Sequence, residues 1–104
     1  MSWKSEFPYF DSELHMLDGW IDNSWHNDIC PNIMCRYTNG DTTIEFRIWQ
    51  ECEDADKREY SESDRFTFQV YVNDDVVFYY GSDDWAEMEK LAKGVDPYGW
   101  KKEI

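Results

Sequence analysis

Positive charge is scarce in this chain. Ten Lys and Arg stand against 23 Asp and Glu, leaving a net charge of −13 over 104 residues. A surface that tracks nucleic-acid phosphates needs stripes of Lys and Arg. The ten basic residues are scattered among acids, so direct binding to nucleic acid or to anionic lipid is not expected. Glycine is scarce too, with five residues. None forms G-x-x-x-x-G-K-[ST], G-x-G-x-x-G or G-x-S-x-G, so neither a phosphate-cradling loop nor a nucleophile elbow is present. Three cysteines, an odd count without a dense framework, suit reduced thiols in a cytosol. No stretch approaches the ~20 apolar residues of a membrane-spanning helix. The opening Met1-Ser2-Trp3-Lys4-Ser5-Glu6 lacks the apolar core of a signal peptide. The expected location is the cytoplasm.

Aromatic residues are abundant instead: six Trp, seven Tyr and six Phe. Acidic disordered chains are poor in such residues, so a folded core is expected. The length suits one domain, residues 1–104, large enough to fold without staples.

The hydrophobic pattern predicts an α+β fold in the order α-β-β-β-β-α. Leu14, Leu17 and Ile21 stand at helical spacing behind Asp11 and Ser12 as caps, predicting an N-terminal helix over 11–22. Gly19 weakens it. Residues 23–32, with Pro31, form an irregular connection. Asn39-Gly40 is a two-residue hairpin turn. It pairs Thr38 with Asp41, Cys35 with Ile44 and Ile33 with Phe46, giving an apolar face that Ile48 extends. The opposite face carries Asn32, Met34, Arg36, Thr43, Glu45, Arg47 and Trp49. Residues 51–64 form an acidic exposed loop. Phe66, Phe68, Val70 and Val72 alternate with polar residues in a third strand. After a turn at Asn73-Asp74-Asp75, the run Val76-Val77-Phe78-Tyr79-Tyr80 is apolar on both faces. One side is expected to meet the core and the other something else. Asp84 and Glu87 form an acidic capping box for a C-terminal helix over 84–93. Its apolar face holds Trp85, Met88, Leu91, Ala92 and Val95, Glu89 and Lys93 pair at i, i+4, and Gly94 caps it. The tail holds Tyr98 and Trp100. Sequential hairpins imply a four-stranded antiparallel sheet with N- and C-terminal helices on one face.

Candidate chemistry is thin. His26, Cys30 and Cys35 form His-x3-Cys-x4-Cys, with His15 or Cys52 as a conceivable fourth zinc ligand. The spacing fits no known knuckle, and Cys35 points into the core, so buried thiols are the simpler reading. A Cys30 nucleophile with His26 as base would sit beside Asp22 and Asp28, and negative surroundings raise a thiol pKa. Asp54, Asp56 and Glu59 loosely resemble a calcium loop but lack its central glycine. No enzymatic activity, metal or other cofactor is expected. Trp49 and Tyr71 project from the polar sheet face as interface anchors, the alternative being cover by Trp3, Phe7, Tyr9 and Phe10.

The expected partner-binding surface is acidic. It comprises Glu51, Glu53, Asp54, Asp56, Glu59, Glu62 and Asp64, with Asp74, Asp75, Asp83 and Asp84, beside Trp49 and Tyr71. Eleven of the 23 carboxylates fall in these three short runs. Such a surface suits a basic partner, and the most basic cytosolic surfaces are nucleic-acid-binding grooves. In size, acidity and lack of enzymatic motifs the chain resembles phage-encoded anti-CRISPR proteins and anti-restriction DNA mimics. The resemblance implies a small inhibitor of a nucleic-acid-handling protein and carries over no individual residues. The stretch Ser24-Trp25-His26-Asn27-Asp28-Ile29-Cys30-Pro31 is similar to segments of small bacterial and mobile-element proteins. The alternatives are a general interaction or immunity-type module, and a small enzyme using Cys30 and His26 or a carboxylate pair.

Overall fold

A computed structural model describes residues 7, 10, 13–17, 19–24, 30–58 and 64–94. Five antiparallel strands cross one sheet in sequence order. They are β1 (Ile21–Asp22), β2 (Asn32–Asn39), β3 (Thr42–Gln50), β4 (Phe66–Val72) and β5 (Asp75–Ser82). A 3-10 turn (Ala55–Lys57) lies between β3 and β4, and one α-helix, α1 (Trp85–Gly94), follows β5.

The predicted four-stranded sheet with two flanking helices is therefore corrected. β2–β5 are the four expected strands and α1 the expected C-terminal helix. In place of a helix over 11–22, residues 13–17 carry no helix and Ile21–Asp22 form a fifth strand. Gly19 explains the difference. Its φ is 83°, and the Trp20 amide closes a turn onto the Leu17 carbonyl at 3.1 Å. A left-handed residue there interrupts a right-handed helix. The periodic residues then separate: Leu14 is buried, while Ile21 pairs with Met34 and is 60% exposed.

The β2–β3 hairpin has the expected two-residue loop, displaced by one residue. Asn39 pairs with Thr42, so the loop is Gly40-Asp41, and Cys35 faces Phe46 while Ile33 faces Ile48. Gly40 has φ 63° at the first central position, as a type II′ turn requires. Moving the loop by one residue shifts each pairing partner by two, so every side chain stays on its predicted face, because alternation has period two. In the β4–β5 hairpin Val72 pairs with Asp75. Asn73 and Asp74 both have positive φ, 48° and 73°, the type I′ pattern. A bulge follows, since Val70 pairs with Phe78 but Tyr71 with Val76, leaving Val77 as the extra residue.

One sheet face holds the core. Ile33, Ile44, Phe46, Ile48, Phe66, Phe68, Val70 and Val72 are buried there with Leu14 and Met88. Two pieces of chain cover it. From α1 come Met88, Trp85, Leu91 and Ala92; from the N-terminal segment come Leu14, Leu17 and Trp20. They meet where the His15 ring lies 4.7 Å from Trp85 and 5.3 Å from Phe66. The segment is clasped by Gln50, which is buried at the end of β3. The Gln50 Nε2 group donates to the Glu13 carbonyl at 2.9 Å, and its Oε1 accepts the His15 amide at 2.8 Å.

Candidate functional site

Three neighbouring strand ends bring most of the predicted acidic surface to one place. Gln50 pairs with Phe66, and Phe66 with Ser82. The segments leaving β3, entering β4 and leaving β5 therefore emerge side by side. Hydrogen bonds tie them: the Glu51 amide donates to the Arg65 carbonyl at 2.6 Å, and the Arg65 amide to Asp83 Oδ1 at 2.9 Å. The Asp64 carboxylate lies against Gly81, where any Cβ would strike it. Glu53, Asp54, Asp56, Asp64, Asp83 and Asp84 are exposed and Glu51 half-buried. Glu59 and Glu62 lie outside the described residues.

Not every carboxylate here is free for a partner. Asp84 Oδ1 accepts the Ala86 amide at 3.0 Å and caps α1. The reciprocal half of the predicted capping box is replaced, since Glu87 accepts from the Tyr80 hydroxyl at 3.3 Å. That carboxylate's charge, then its hydrogen bond, pushes the Tyr80 hydroxyl pKa above its ordinary value. Asp54 caps the 3-10 turn through the Asp56 amide at 3.0 Å. The loop folds on itself through Arg58, whose Nε donates to the Cys52 carbonyl at 2.7 Å.

Asp74 and Asp75 do not join this cluster. They lie at the β4–β5 turn, at the opposite end of β4, whose seven residues span roughly 23 Å. The two turns at that end are bound together. The Thr43 amide donates to Asn73 Oδ1 and the Asn73 amide to the Thr43 carbonyl, both at 2.9 Å. Exposed Asp41 stands there as well.

Trp49 and Tyr71 occupy the face away from the core, as predicted, but they are half-buried. The Trp49 Nε1 group and the Tyr71 hydroxyl both donate to Gln69 Oε1 at 2.6 Å. The Arg47 guanidinium lies 4.9 Å from the Tyr71 ring centre and 5.8 Å from that of Trp49. Glu45 is buried between two arginines, 2.7 Å from Arg36 and 2.6 Å from Arg47. Asn32 and Met34 are also buried, so this face is an ordered network rather than an open polar surface. Phe7 and Phe10 are half-buried; Trp3 and Tyr9 lie outside the described residues.

The exposed apolar surface lies instead on β5. Residues 76–80 are all exposed, Tyr79 most of all at 72%. Because β5 is the last strand of a sequential meander, it is an edge among the described residues. That was readable in principle: consecutive hairpins leave their final strand with one neighbour. Phe78 also reaches inward, edge-on to Phe68 at 6.3 Å.

The thiols are set in the fold. Cys30 is buried, and Cys35 and Cys52 are half-buried. Burial, with the Glu45 charge adding and a hydrogen bond to Tyr37 opposing, pushes the Cys35 thiol pKa up to about 11. At neutral pH it is protonated, and a thiol is a poor nucleophile. The Tyr37 hydroxyl is raised as well, first by the Cys35 charge. His26 and residues 25–29 lie outside the described residues. Among the described residues no three His, Cys, Asp or Glu side chains gather as a metal-binding group. No helix among them is long and apolar enough to cross a membrane. Comparison with known families, with characterised proteins and with solved structures returns no match for this chain.

Proposed function

We propose that this chain is a non-catalytic, cytosolic binding protein whose acidic sheet end engages a basic surface on a nucleic-acid-handling protein. In that role it acts as an inhibitor, its carboxylates standing where phosphates would. The observation that supports the reading is the convergence of carboxylates from three neighbouring strand ends. Seven described Asp and Glu from the predicted surface collect there, against Lys57, Arg58 and Arg65. Charges this close reinforce one another within a Debye length of about 8 Å at physiological salt. They steer a cationic partner toward that end of the molecule.

The test is capture from the native cytosol with the tagged full chain. The expected prey is a nucleic-acid-binding protein that duplex DNA or RNA displaces. The double variant Glu53→Lys, Asp56→Lys is expected to slow its association while dissociation changes less, and to flatten its salt dependence. Prey that nucleic acid does not displace would favour the general interaction module. Prey held equally by wild type and variant at every salt concentration would refute the acidic surface.

A further inference from the structure

Among the described residues β5 has a strand on one side only. Every second residue of such an edge turns its N–H and C=O outward, ready to pair with another extended chain. Folded proteins blunt such edges with short strands, Lys, Pro or a covering element. The other side of this sheet follows that rule. β1 pairs only two residues of β2. The Asn23 amide then donates to the Asn32 carbonyl at 3.0 Å, and the Asn32 amide to Ser24 Oγ at 3.2 Å. β5 carries one such device, the bulge at Val77, but it is eight residues long, without Lys or Pro, and exposes large apolar side chains at 76–80.

Charge at both ends identifies the occupant. Asp74 and Asp75 stand exposed where β5 begins, and Asp83 and Asp84 where it ends. A second copy of this chain fits badly in either direction. Antiparallel pairing sets Asp74 and Asp75 of each copy beside Asp83 and Asp84 of the other. Parallel pairing sets each acidic pair beside its own counterpart. Like charges directly opposite destabilise a strand pair, and each copy carries −13.

We propose that β5 is a docking edge that takes an extended segment of a basic partner as a sixth strand, apolar residues alternating along the segment's middle and Lys or Arg at both its ends. The proposal rests on the basic-partner reading above and adds where and how contact is made. Main-chain pairing supplies affinity, and alternate side chains against Tyr79 and Phe78 supply selectivity. The terminal cations meet Asp74 and Asp75 at one end and, at the other, the Asp83 and Asp84 carboxylates beside the Oδ1 atoms that hold the Arg65 and Ala86 amides, and they exclude self-pairing.

The test uses the full chain, isotope-labelled, titrated with a nine-residue peptide of alternating valine and threonine with two lysines at each end. Companion peptides carry glutamates at the ends, or N-methyl groups on the amides of one edge or of the other. The lysine-ended peptide is expected to protect the β5 amides from exchange. Glutamate ends weaken binding by roughly tenfold or more. Methylation of one edge abolishes binding, and methylation of the other leaves it. If both methylated peptides bind as well as the parent, and shifts fall only on 51–58 and 83–84, strand docking is wrong while the basic-partner reading stands. If the glutamate-ended peptide docks on β5 equally well, the cationic occupant is wrong, and the basic-partner reading is then decided by the Glu53→Lys, Asp56→Lys variant alone. Absence of binding by any peptide at millimolar concentration overturns the proposal, as does a homodimer at physiological salt with protected β5 amides.

Discussion

Replacing Gln50 by Met removes the polar clasp that holds the N-terminal segment over the core. The side chain is 1% exposed, and Met fills a similar volume without its hydrogen bonds. Two backbone groups then lose their partner: the Glu13 carbonyl, now 2.9 Å from Nε2, and the His15 amide, now 2.8 Å from Oε1. The His15 ring also loses its 3.0 Å contact with the same oxygen. Leaving a buried donor or acceptor unsatisfied costs about 1–3 kcal/mol. Both sites are only partly buried, so the low half of that range applies to each, and the variant loses about 2–4 kcal/mol. A domain of this size has about 5–15 kcal/mol in all, so the melting temperature falls by roughly 10–20 °C. Urea unfolding at constant slope measures the loss, and amide exchange at His15 locates it. A cost below about 0.5 kcal/mol, the range of surface substitutions, with the His15 amide still protected, would refute the reasoning. Packing of Leu14, Leu17, Trp20 and the His15 ring would then hold the segment.

Met88→Ala is expected to cost about 2–5 kcal/mol, because Met88 is fully buried while Leu91 packs at the rim of the core; urea unfolding of both Ala variants should rank Met88 first. Asp84→Ala loses the α1 cap and about 1 kcal/mol, whereas Asp56→Lys, at an exposed position, changes stability by less than about 0.5 kcal/mol. Equal losses for those two variants would contradict the capping role of Asp84. At alkaline pH the native Cys35 thiol stays protonated up to about 11, while the unfolded thiol ionises from its ordinary value of 9.0. The folded pKa is the raised one, so stability is fully present below about pH 9 and falls as pH rises toward 11. Urea midpoints across that window are expected to decline less in Cys35→Ser, and an unchanged decline would place its origin elsewhere.

Strand content was legible wherever alternation and turn chemistry agreed. Phe66 to Val72 alternates strictly and emerges as β4, buried at every second residue. Asn39-Gly40 located its hairpin but misplaced the loop by one step, because Gly40 can serve as either central residue. Face assignment survived that error; pairing partners did not. The N-terminal helix failed for a different reason. Three apolar residues at helical spacing are weak support when a glycine lies among them. Nothing local shows that the side chain of Gln50, 35 residues beyond His15, supplies the hydrogen bonds a helix would have made. The acidic surface was legible as charge, not as place. Strand order decides that residues 51, 64 and 83 converge while residue 74 lies at the far end. Trp49 and Tyr71 were legible as residues of the face away from the core, but their shared acceptor was not, because Gln69 sits on the neighbouring strand for one and two residues away for the other.

The apolar edge and the acidic ends explain each other. An exposed, aromatic-rich edge strand invites pairing with its own kind. Antiparallel self-pairing of β5 would bring two carboxylates of one copy to two of the other at each end. At a separation of about 5 Å in water each nearest pair costs about 0.8 kcal/mol. Four such pairs oppose the dimer by about 3 kcal/mol, more than a hundredfold in its equilibrium constant. The same carboxylates attract a segment ending in Lys or Arg. Salt therefore acts oppositely on the two associations. Screening weakens the cationic partner's attachment and relieves the repulsion between copies. On the proposed docking mode one strand discriminates against its own copies and in favour of a basic chain with no change in its apolar surface, and the sign of the salt dependence tells which of the two is bound.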